Sequence, residues 1–162
     1  MSHSIRIVRY EPRHRDRFRA LNLAWIEEHF AVEERDRREL DDPEGQILAS
    51  GGHIFMAESD GPEGVAVVGA CALIREHEGA YELAKMAVDP SARGRGVGRA
   101  LGEAVIATAR TLGARHVELL SNRKLAPAIR LYRALGFVEV PLPSTDYARA
   151  DIKMVLELGA DA

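Results

Sequence analysis

Three arginines and three glycines lie in residues 93–99, Arg-Gly-Arg-Gly-Val-Gly-Arg, directly before a helical pattern. The pair Asp89-Pro90 stops the preceding apolar strand at Val88. Glycines let a backbone approach a ligand closely, and the free N–H groups of a first helical turn attract anions. Arginines add charge-assisted hydrogen bonds. The segment therefore predicts a phosphate-binding loop between a strand and a helix.

Three kinds of phosphate loop compete for this segment, and each makes a further demand on the sequence. A Walker A loop requires Gly-Lys-Ser or Gly-Lys-Thr, which does not follow here. A dinucleotide-binding fold requires Gly-x-Gly-x-x-Gly after its first strand, whereas the glycines at 94, 96 and 98 are evenly spaced and lie in the middle of the chain. The third kind is the pyrophosphate loop of acyl-CoA-dependent N-acyltransferases.

Two sequence blocks carry a specific resemblance to a known family. Residues 88–99 resemble the motif Arg/Gln-x-x-Gly-x-Gly/Ala of the GNAT acetyltransferase superfamily. Residues 128–137 resemble the helix and following strand that carry a tyrosine in that superfamily, at the expected distance downstream. Residues 5–59 match only in pattern. The resemblance implies that the chain binds an acyl-coenzyme A, with acetyl-CoA as the expected cosubstrate, and transfers the acyl group to an amine.

The resemblance also implies which residues hold the coenzyme. The backbone amides of the loop are expected to bind the pyrophosphate. The end of the preceding strand is expected to lie beside the pantetheine arm, where a backbone N–H polarises the thioester carbonyl. Asn122 is expected to add a polar contact to the pantetheine. The predicted cofactor-binding residues are Met86, Ala87, Val88, Arg93, Gly94, Arg95, Gly96, Val97, Gly98, Arg99 and Asn122.

Tyr132 matches the residue that protonates the departing thiolate in many members of the superfamily. A phenol is a hydrogen-bond donor at neutral pH, so the role is chemically sound. The alternative is that Tyr132 packs in the core with Ile129 and Leu135, which precede and follow it by one helical step.

An amine acceptor arrives as an ammonium ion, so a base or solvent must remove a proton. Glu82 is the first candidate, because a carboxylate in an otherwise apolar strand can have its pKa raised toward neutrality. Glu118 on the neighbouring strand is the second, and water is a third. The alternative for Glu82 is a surface carboxylate paired with Lys85 or an arginine.

The pattern of apolar residues predicts a strand, two helices, three strands, a helix, a strand, a helix and two strands, which is an α/β order. The resemblance implies a mixed, mostly antiparallel central sheet with flanking helices, in a single N-acetyltransferase domain over residues 1–162. Strands are expected at residues 5–9, 53–58, 65–74, 80–88, 116–121, 137–140 and 151–158, and helices from residue 12, at residues 32–40, after residue 96 and at residues 126–135.

Composition excludes several other classes of function. The net charge of -3 and a pI of about 6.1 argue against a nucleic-acid partner, and the loop has no aromatic platform beside it. Cys71 is the only cysteine and the six histidines are scattered, which predicts neither a disulfide nor a metal site. No apolar run approaches the ~18 residues of a membrane span, so a cytoplasmic location without membrane contact is expected.

The sequence thus predicts an enzyme in which the amine of a small molecule or a protein attacks acetyl-CoA directly in a ternary complex. An alternative of another class is an acyl-CoA-binding sensor or scaffold of the same fold without turnover. An exposed last strand would permit a homodimer through edge pairing.

Overall fold

A computed structural model describes residues 4–143 and 147–159 of the chain. Seven strands of these residues form one sheet, and four α-helices cover its two faces. The strands are β1 (Ile5–Arg9), β2 (His53–Gly61), β3 (Gly64–His77), β4 (Ala80–Val88), β5 (His116–Ser121), β6 (Val138–Val140) and β7 (Ile152–Glu157). The helices are α1 (Arg15–His29), α2 (Glu34–Asp41), α3 (Val97–Thr111) and α4 (Ala126–Ala134).

The strand order is β1-β2-β3-β4-β5-β7-β6, and every neighbouring pair is antiparallel except β4 with β5. The predicted mixed, mostly antiparallel α/β sheet is thereby confirmed. The expectation that the last strand forms an exposed edge is wrong, because β7 lies between β5 and β6. The short β6 forms that edge instead. The chain first runs to the edge as β6 and then returns as β7, which pairs with both β6 and β5.

Both faces of the sheet are buried, which explains why β3 is apolar over most of its length. Cys71 and Leu73 point into a cluster on the α3 side, whereas Ala70, Ala72 and Ile74 point into a cluster on the α1 side. No helix in the described residues is both long and apolar enough to cross a membrane.

Two helical predictions differ from the structure in detail. The helix expected from Pro12 starts as a 3-10 turn, Pro12–His14, and α1 begins only at Arg15. A proline fits such a first turn because its nitrogen needs no partner there. The helix expected at residues 32–40 is α2, Glu34–Asp41, and a separate π-helical turn, Glu44–Leu48, follows Pro43.

Strand β4 carries a bulge at Lys85. Ala84 pairs with Ala72 and Ala87 pairs with Ala70, so that two residues of β4, Lys85 and Met86, lie opposite Cys71. Lys85 has a φ of 56°, which is unusual for a residue with a side chain. The extra residue turns Lys85 toward α2, whereas Met86 packs against the α3-side cluster. Without the bulge, the alternation of side chains would have placed Lys85 and Glu82 on opposite faces of the sheet.

Strands β4 and β5 separate soon after they meet. Their parallel pairing covers only residues 80–82 and 116–118. Beyond Glu82 the two strands diverge, and α3 and α4 begin near their carboxyl ends. Such a gap at the carboxyl ends of parallel strands is a common position for a ligand.

The close approach of α3 to the sheet depends on Gly69 of β3. A Cβ at this position would lie 2.9 Å from Val97 Cγ1 and 3.1 Å from Leu101 Cδ1. Valine has little freedom to turn away. We expect Gly69→Ala to lower the free energy of unfolding by about 1–3 kcal/mol through overpacking, measured by chemical denaturation.

Val65→Ala on the same strand is the control, because Val65 is 55% exposed. Its effect should stay within about 0.5 kcal/mol. Equal stability of Gly69→Ala and the parent chain would contradict the proposed close packing of α3.

Candidate active site

The loop before α3 is shaped by two glycines in the left-handed region. Gly94 has a φ of 81° and Gly96 a φ of 77°, and a Cβ added to either would meet no atom within 4 Å. Backbone conformation, and not lack of space, therefore requires glycine at both positions. Gly96 is the N-cap of α3 and no side chain caps the helix. The first N–H groups of α3 remain available to an anion, as predicted for a phosphate loop.

The three loop arginines are exposed and make contacts within the protein. Arg93 forms an ion pair with Glu28 of α1, with 2.9 Å between Nη2 and Oε1. Arg99 contacts Glu103 one turn later, at 3.3 Å, and Arg95 donates a long 3.4 Å hydrogen bond to Ser59 Oγ. Exposed ion pairs of this kind contribute less than about 1 kcal/mol, so a phosphate can replace the carboxylate partners.

A groove, here called the loop groove, runs from this loop to α4. It is bounded by Val88 and Met86 on one side and by Leu131 and Tyr132 on the other. The helices α3 and α4 are in close contact along it: a Cβ on Gly98 would lie 3.3 Å from Leu131 Cδ2, and one on Gly102 only 2.6 Å from Leu135 Cδ1. The two glycines of α3 thus allow α4 to pack closely against it.

A second cavity, here called the inner pocket, lies on the other side of Tyr132. Its wall is built from α1, β4, the end of β5 and the segment before β7. The lining residues are Asn22, Trp25, Ile26, Phe30, Glu82, Leu83, Ala84, Lys85, Met86, Leu120, Ser121, Asn122, Leu125, Tyr132, Tyr147, Arg149 and Ala150. Trp25, Met86 and Tyr132 line both the inner pocket and the loop groove. The two cavities therefore meet at these three side chains.

Tyr132 lies where the two cavities meet. Its ring packs edge-on against Phe137, with 6.2 Å between the ring centroids, and contacts the α3-side cluster. Loss of hydration raises the pKa of Tyr132 well above its ordinary value, with a smaller contribution from Cys71. The phenol consequently stays protonated over the physiological range and can act as a donor. The packing considered for Tyr132 is present in the fold, and its role as a donor stays a prediction.

Glu82 is buried, with 3% of its surface exposed, and lies in the wall of the inner pocket. Its Oε1 accepts a 2.5 Å hydrogen bond from Arg35 Nη2. In residues 4–143 and 147–159, Oε2 makes neither a hydrogen bond nor an ion pair. Burial raises the pKa of Glu82, and Arg35 opposes this rise. Glu82 is thus not the surface carboxylate of the alternative reading, although an arginine does pair with it.

Glu118 lies beside Glu82 in the parallel pairing but has a different environment. Its Oε2 is 3.0 Å from Lys153 Nζ. Loss of hydration alone would raise its pKa, but hydrogen bonds with Glu76 and Lys153 outweigh this, so that the pKa of Glu118 is lowered. It does not line the inner pocket.

A buried network of charges borders the inner pocket behind Glu82. Lys85 Nζ contacts Asp36 Oδ1 at 2.9 Å, Glu39 Oε1 at 3.1 Å and the Tyr147 hydroxyl at 2.7 Å. Arg149 binds Asp36 through both of its Nη atoms, at 2.7 and 2.8 Å. The contacts of Arg149 and Lys85 outweigh the effect of burial and hold the pKa of Asp36 well below its usual range.

This network is the part of the site that sequence reasoning missed. The charges of α2 have the sequence pattern of a solvated helix face, yet Asp36 is fully buried. A lysine in the otherwise apolar β4 is the sequence signal that could have indicated buried carboxylates nearby. Arg149 and Tyr147 gave no such signal, because they lie far along the chain from α2.

The other predicted cofactor residues occupy distinct places. Met86, Val88 and the loop border the loop groove. Ala87 is buried in the α1-side cluster. Asn122 lines the inner pocket, where its Nδ2 donates to Arg149 O at 2.8 Å and its Oδ1 accepts from Lys124 N at 3.0 Å. A pantetheine contact from Asn122 stays a prediction. No group of three or more His, Cys, Asp or Glu side chains able to hold a metal occurs within the described ranges.

A family model described as an acetyltransferase (GNAT) domain matches residues 50–139, more than half of the chain. The match includes β4, the glycine loop, α3 and Tyr132. The chain belongs to the GNAT acetyltransferase family. The superfamily resemblance drawn from residues 88–99 and 128–137 is thereby confirmed.

Two curated relatives in sequence agree with this family. A mycothiol acetyltransferase of Acidothermus cellulolyticus is 33% identical over 143 residues, with 75% of this chain and 41% of that protein covered. The chain thus spans less than half of the length of that relative. An uncharacterised N-acetyltransferase of Escherichia coli, YjgM, is 29% identical over 115 residues, with coverage of 70% of this chain and 69% of that protein.

Solved structures share the GNAT fold over almost the whole chain. A GNAT acetyltransferase of Staphylococcus aureus Mu50 superimposes with a TM-score of 0.84 at 24% identity and covers 96% of this chain and all of its own. A putative acetyltransferase of Salmonella typhimurium, yncA, determined with its cofactor acetyl-CoA, has a TM-score of 0.75 at 22% identity, with 98% and 96% coverage.

The GNAT loop offers a direct test of coenzyme binding. Gly96→Ala forces an L-residue into the left-handed region, which costs about 1–2 kcal/mol of stability or distorts the loop. Because hydrogen bonds to a charged group contribute about 1.5–3 kcal/mol, we expect the affinity for acetyl-CoA to fall about tenfold to a hundredfold, measured by calorimetry.

Gly64→Ala is the matched control. Gly64 has a φ of 103° in the β2–β3 turn, and a Cβ there would also meet nothing within 4 Å. It should lower the melting temperature without weakening acetyl-CoA binding. A Gly96→Ala chain that binds acetyl-CoA as tightly as the parent would contradict the assignment of the loop.

Proposed function

We propose that the chain transfers an acetyl group from acetyl-CoA to a primary amine by direct attack in a ternary complex. The observation that carries the proposal is the meeting of the loop groove and the inner pocket at Trp25, Met86 and Tyr132. A coenzyme in the groove and an acceptor in the pocket would bring thioester and amine together at this point. The GNAT family match supports the same assignment.

The coenzyme is held chiefly by backbone. Its pyrophosphate lies at the N-terminus of α3, where Gly94 and Gly96 leave the N–H groups open, and the arginines supply positive charge. The pantetheine arm occupies the gap where β4 leaves β5. A backbone N–H in residues 86–88 polarises the thioester carbonyl and stabilises the oxyanion of the tetrahedral intermediate.

The acceptor is activated at Glu82. Its open Oε2 takes a proton from the ammonium ion, and the nitrogen lone pair then attacks the carbonyl carbon. The new C–N bond forms, the C–S bond breaks, and Tyr132 gives its proton to the departing thiolate. The nitrogen loses its second proton to solvent, and the phenolate is reprotonated from solvent.

Tyr132→Phe tests the acid. Without the phenol proton the thiolate leaves unprotonated, so we expect kcat to fall about a hundredfold or more while KM for the amine changes little. The measurement is thiol release from acetyl-CoA at saturating amine. Tyr81→Phe is the control, because Tyr81 is a buried tyrosine outside both cavities. Unchanged turnover of Tyr132→Phe would remove this tyrosine from the mechanism.

Glu82→Gln tests the base. Glu82 must be ionised to accept a proton, so kcat/KM of the parent chain should rise with pH through the pKa of Glu82, which burial raises above the ordinary carboxyl value of 4.5. The variant should lose this rise and about a hundredfold or more in kcat/KM. The check is a pH–rate profile of both chains.

Glu118→Gln is the control for this experiment and also tests the second candidate base. It should retain the profile and nearly all of the activity, since Glu118 pairs with Lys153 outside the inner pocket. A larger loss in Glu118→Gln than in Glu82→Gln would exchange the two assignments. If acetyl-CoA binds tightly but no amine releases thiol, the chain is the non-catalytic sensor or scaffold.

A further inference from the structure

The charged side chains beside the inner pocket form one network with a defined net charge. Four carboxylates and three cations are linked by contacts of 3.5 Å or less, so the network carries one negative charge when all are ionised. The carboxylates are Glu33, Asp36, Glu39 and Glu82, and the cations are Arg35, Lys85 and Arg149.

The cations of this network are engaged by its own carboxylates. The three donors of Lys85 Nζ match its three partners, Asp36, Glu39 and the Tyr147 hydroxyl. Both Nη atoms of Arg149 bind Asp36, and Nη1 also lies 3.5 Å from Glu33. Arg35 spans Glu39 and Glu82. A carboxylate on an acceptor would have to compete with these buried partners.

Glu82 Oε2 is the carboxylate oxygen that the network leaves for a ligand. The side chain of Glu82 is 5% exposed and lines the pocket, and within the described residues only Oε1 is paired. An unpaired carboxylate oxygen that faces a pocket from a largely buried side chain favours a cation beside it.

Other charged groups near Glu82 do not change this balance. Glu118 pairs with Lys153 at 3.0 Å. Loss of hydration and a hydrogen bond with Glu118 raise the pKa of Glu76 to about 8, and Glu76 lies outside the pocket lining. Lys124 lies outside the pocket lining, with its Nζ over the Phe30 ring at 4.2 Å and bonded to His29 O.

The rest of the pocket wall combines apolar side chains with uncharged polar ones, and the amide nitrogens of Asn22 and Asn122 already donate to backbone carbonyls. Trp25 and Phe30 form one side, with 6.3 Å between their ring centroids. Leu83, Leu120 and Leu125 line other parts of the wall. These side chains can contact a hydrocarbon or aromatic body but offer no partner to a second charged group.

We propose that the acceptor is a small primary amine whose ammonium ion is its only charge and whose body is apolar or aromatic. This inference rests on the proposed transferase function and adds the class of acceptor. One ammonium ion at Glu82 Oε2 neutralises the network, a second would leave excess positive charge, and a carboxylate would meet only cations that already pair with the network's own carboxylates.

A matched set of acceptors tests the inference on the parent chain. The set is 2-phenylethylamine, phenylalanine, phenylalanine amide and 1,4-diaminobutane, each assayed by thiol release from acetyl-CoA. We expect kcat/KM for 2-phenylethylamine to exceed those for phenylalanine and the diamine by at least about tenfold, because a site rejects groups that it cannot pair. Phenylalanine amide controls for size and should lie well above phenylalanine.

A pair of variants links the preference to the network. Glu33→Gln removes one negative charge and frees part of Arg149, so the ratio of kcat/KM for 2-phenylethylamine to that for phenylalanine should fall severalfold. Glu34→Gln is the neighbouring control, since the Glu34 side chain is 84% exposed and its ion pair is with the exposed Arg38, at 3.7 Å. It should leave the ratio unchanged.

The outcomes separate the two proposals. Turnover of phenylalanine or the diamine at or above the rate of 2-phenylethylamine overturns the acceptor class and leaves the transferase function intact. Calorimetric binding of acetyl-CoA without thiol release for any acceptor overturns both. Turnover of a protein lysine but of none of the small amines overturns the acceptor class alone.

Discussion

The bulge at Lys85 allows β4 to contribute side chains to both cavities. One extra residue opposite Cys71 puts Lys85 on the same face of the sheet as Ala84, and Met86 on the other face. Met86 thereby borders the loop groove, while Lys85 joins the buried carboxylates of α2. A left-handed residue with a side chain costs about 1–2 kcal/mol, and the ion pairs of Lys85 hold it in place. The separation of β4 from β5 just before this bulge leaves room for a ligand.

The ion pairs of the network around Lys85 contribute little net stability, although each partner depends on the others. Buried ions lose hydration that their mutual attraction only partly restores, whereas removal of one partner costs about 3–5 kcal/mol. Asp36 shows the principle, because a fully buried carboxylate stays ionised only between Lys85 and Arg149. The same contacts connect α2 to the segment before β7, and so enclose the pocket from two distant parts of the chain.

The sequence predicted the features that depend on residues close to one another in the chain. The glycines at 94 and 96 permit the left-handed backbone that the loop adopts, and the family match covers both this loop and Tyr132. The face on which Lys85 lies could not be predicted, because a bulge changes the alternation of a strand without a sequence mark. The partners of Asp36 could not be found either, since Arg149 is 113 residues away and meets it only through the order of the sheet.

Gly102 has a consequence beyond its own helix. A methyl group there would lie 2.6 Å from Leu135 Cδ1, so any larger residue at position 102 displaces Leu135, either through its side-chain rotamer or together with the end of α4. Tyr132 lies on α4 less than one turn before Leu135 and would move in the second case. The position of the Tyr132 ring therefore depends on the spacing of α3 and α4. The charged network of α2 lies on the other face of the sheet, so substitutions there can occur in evolution without moving Tyr132.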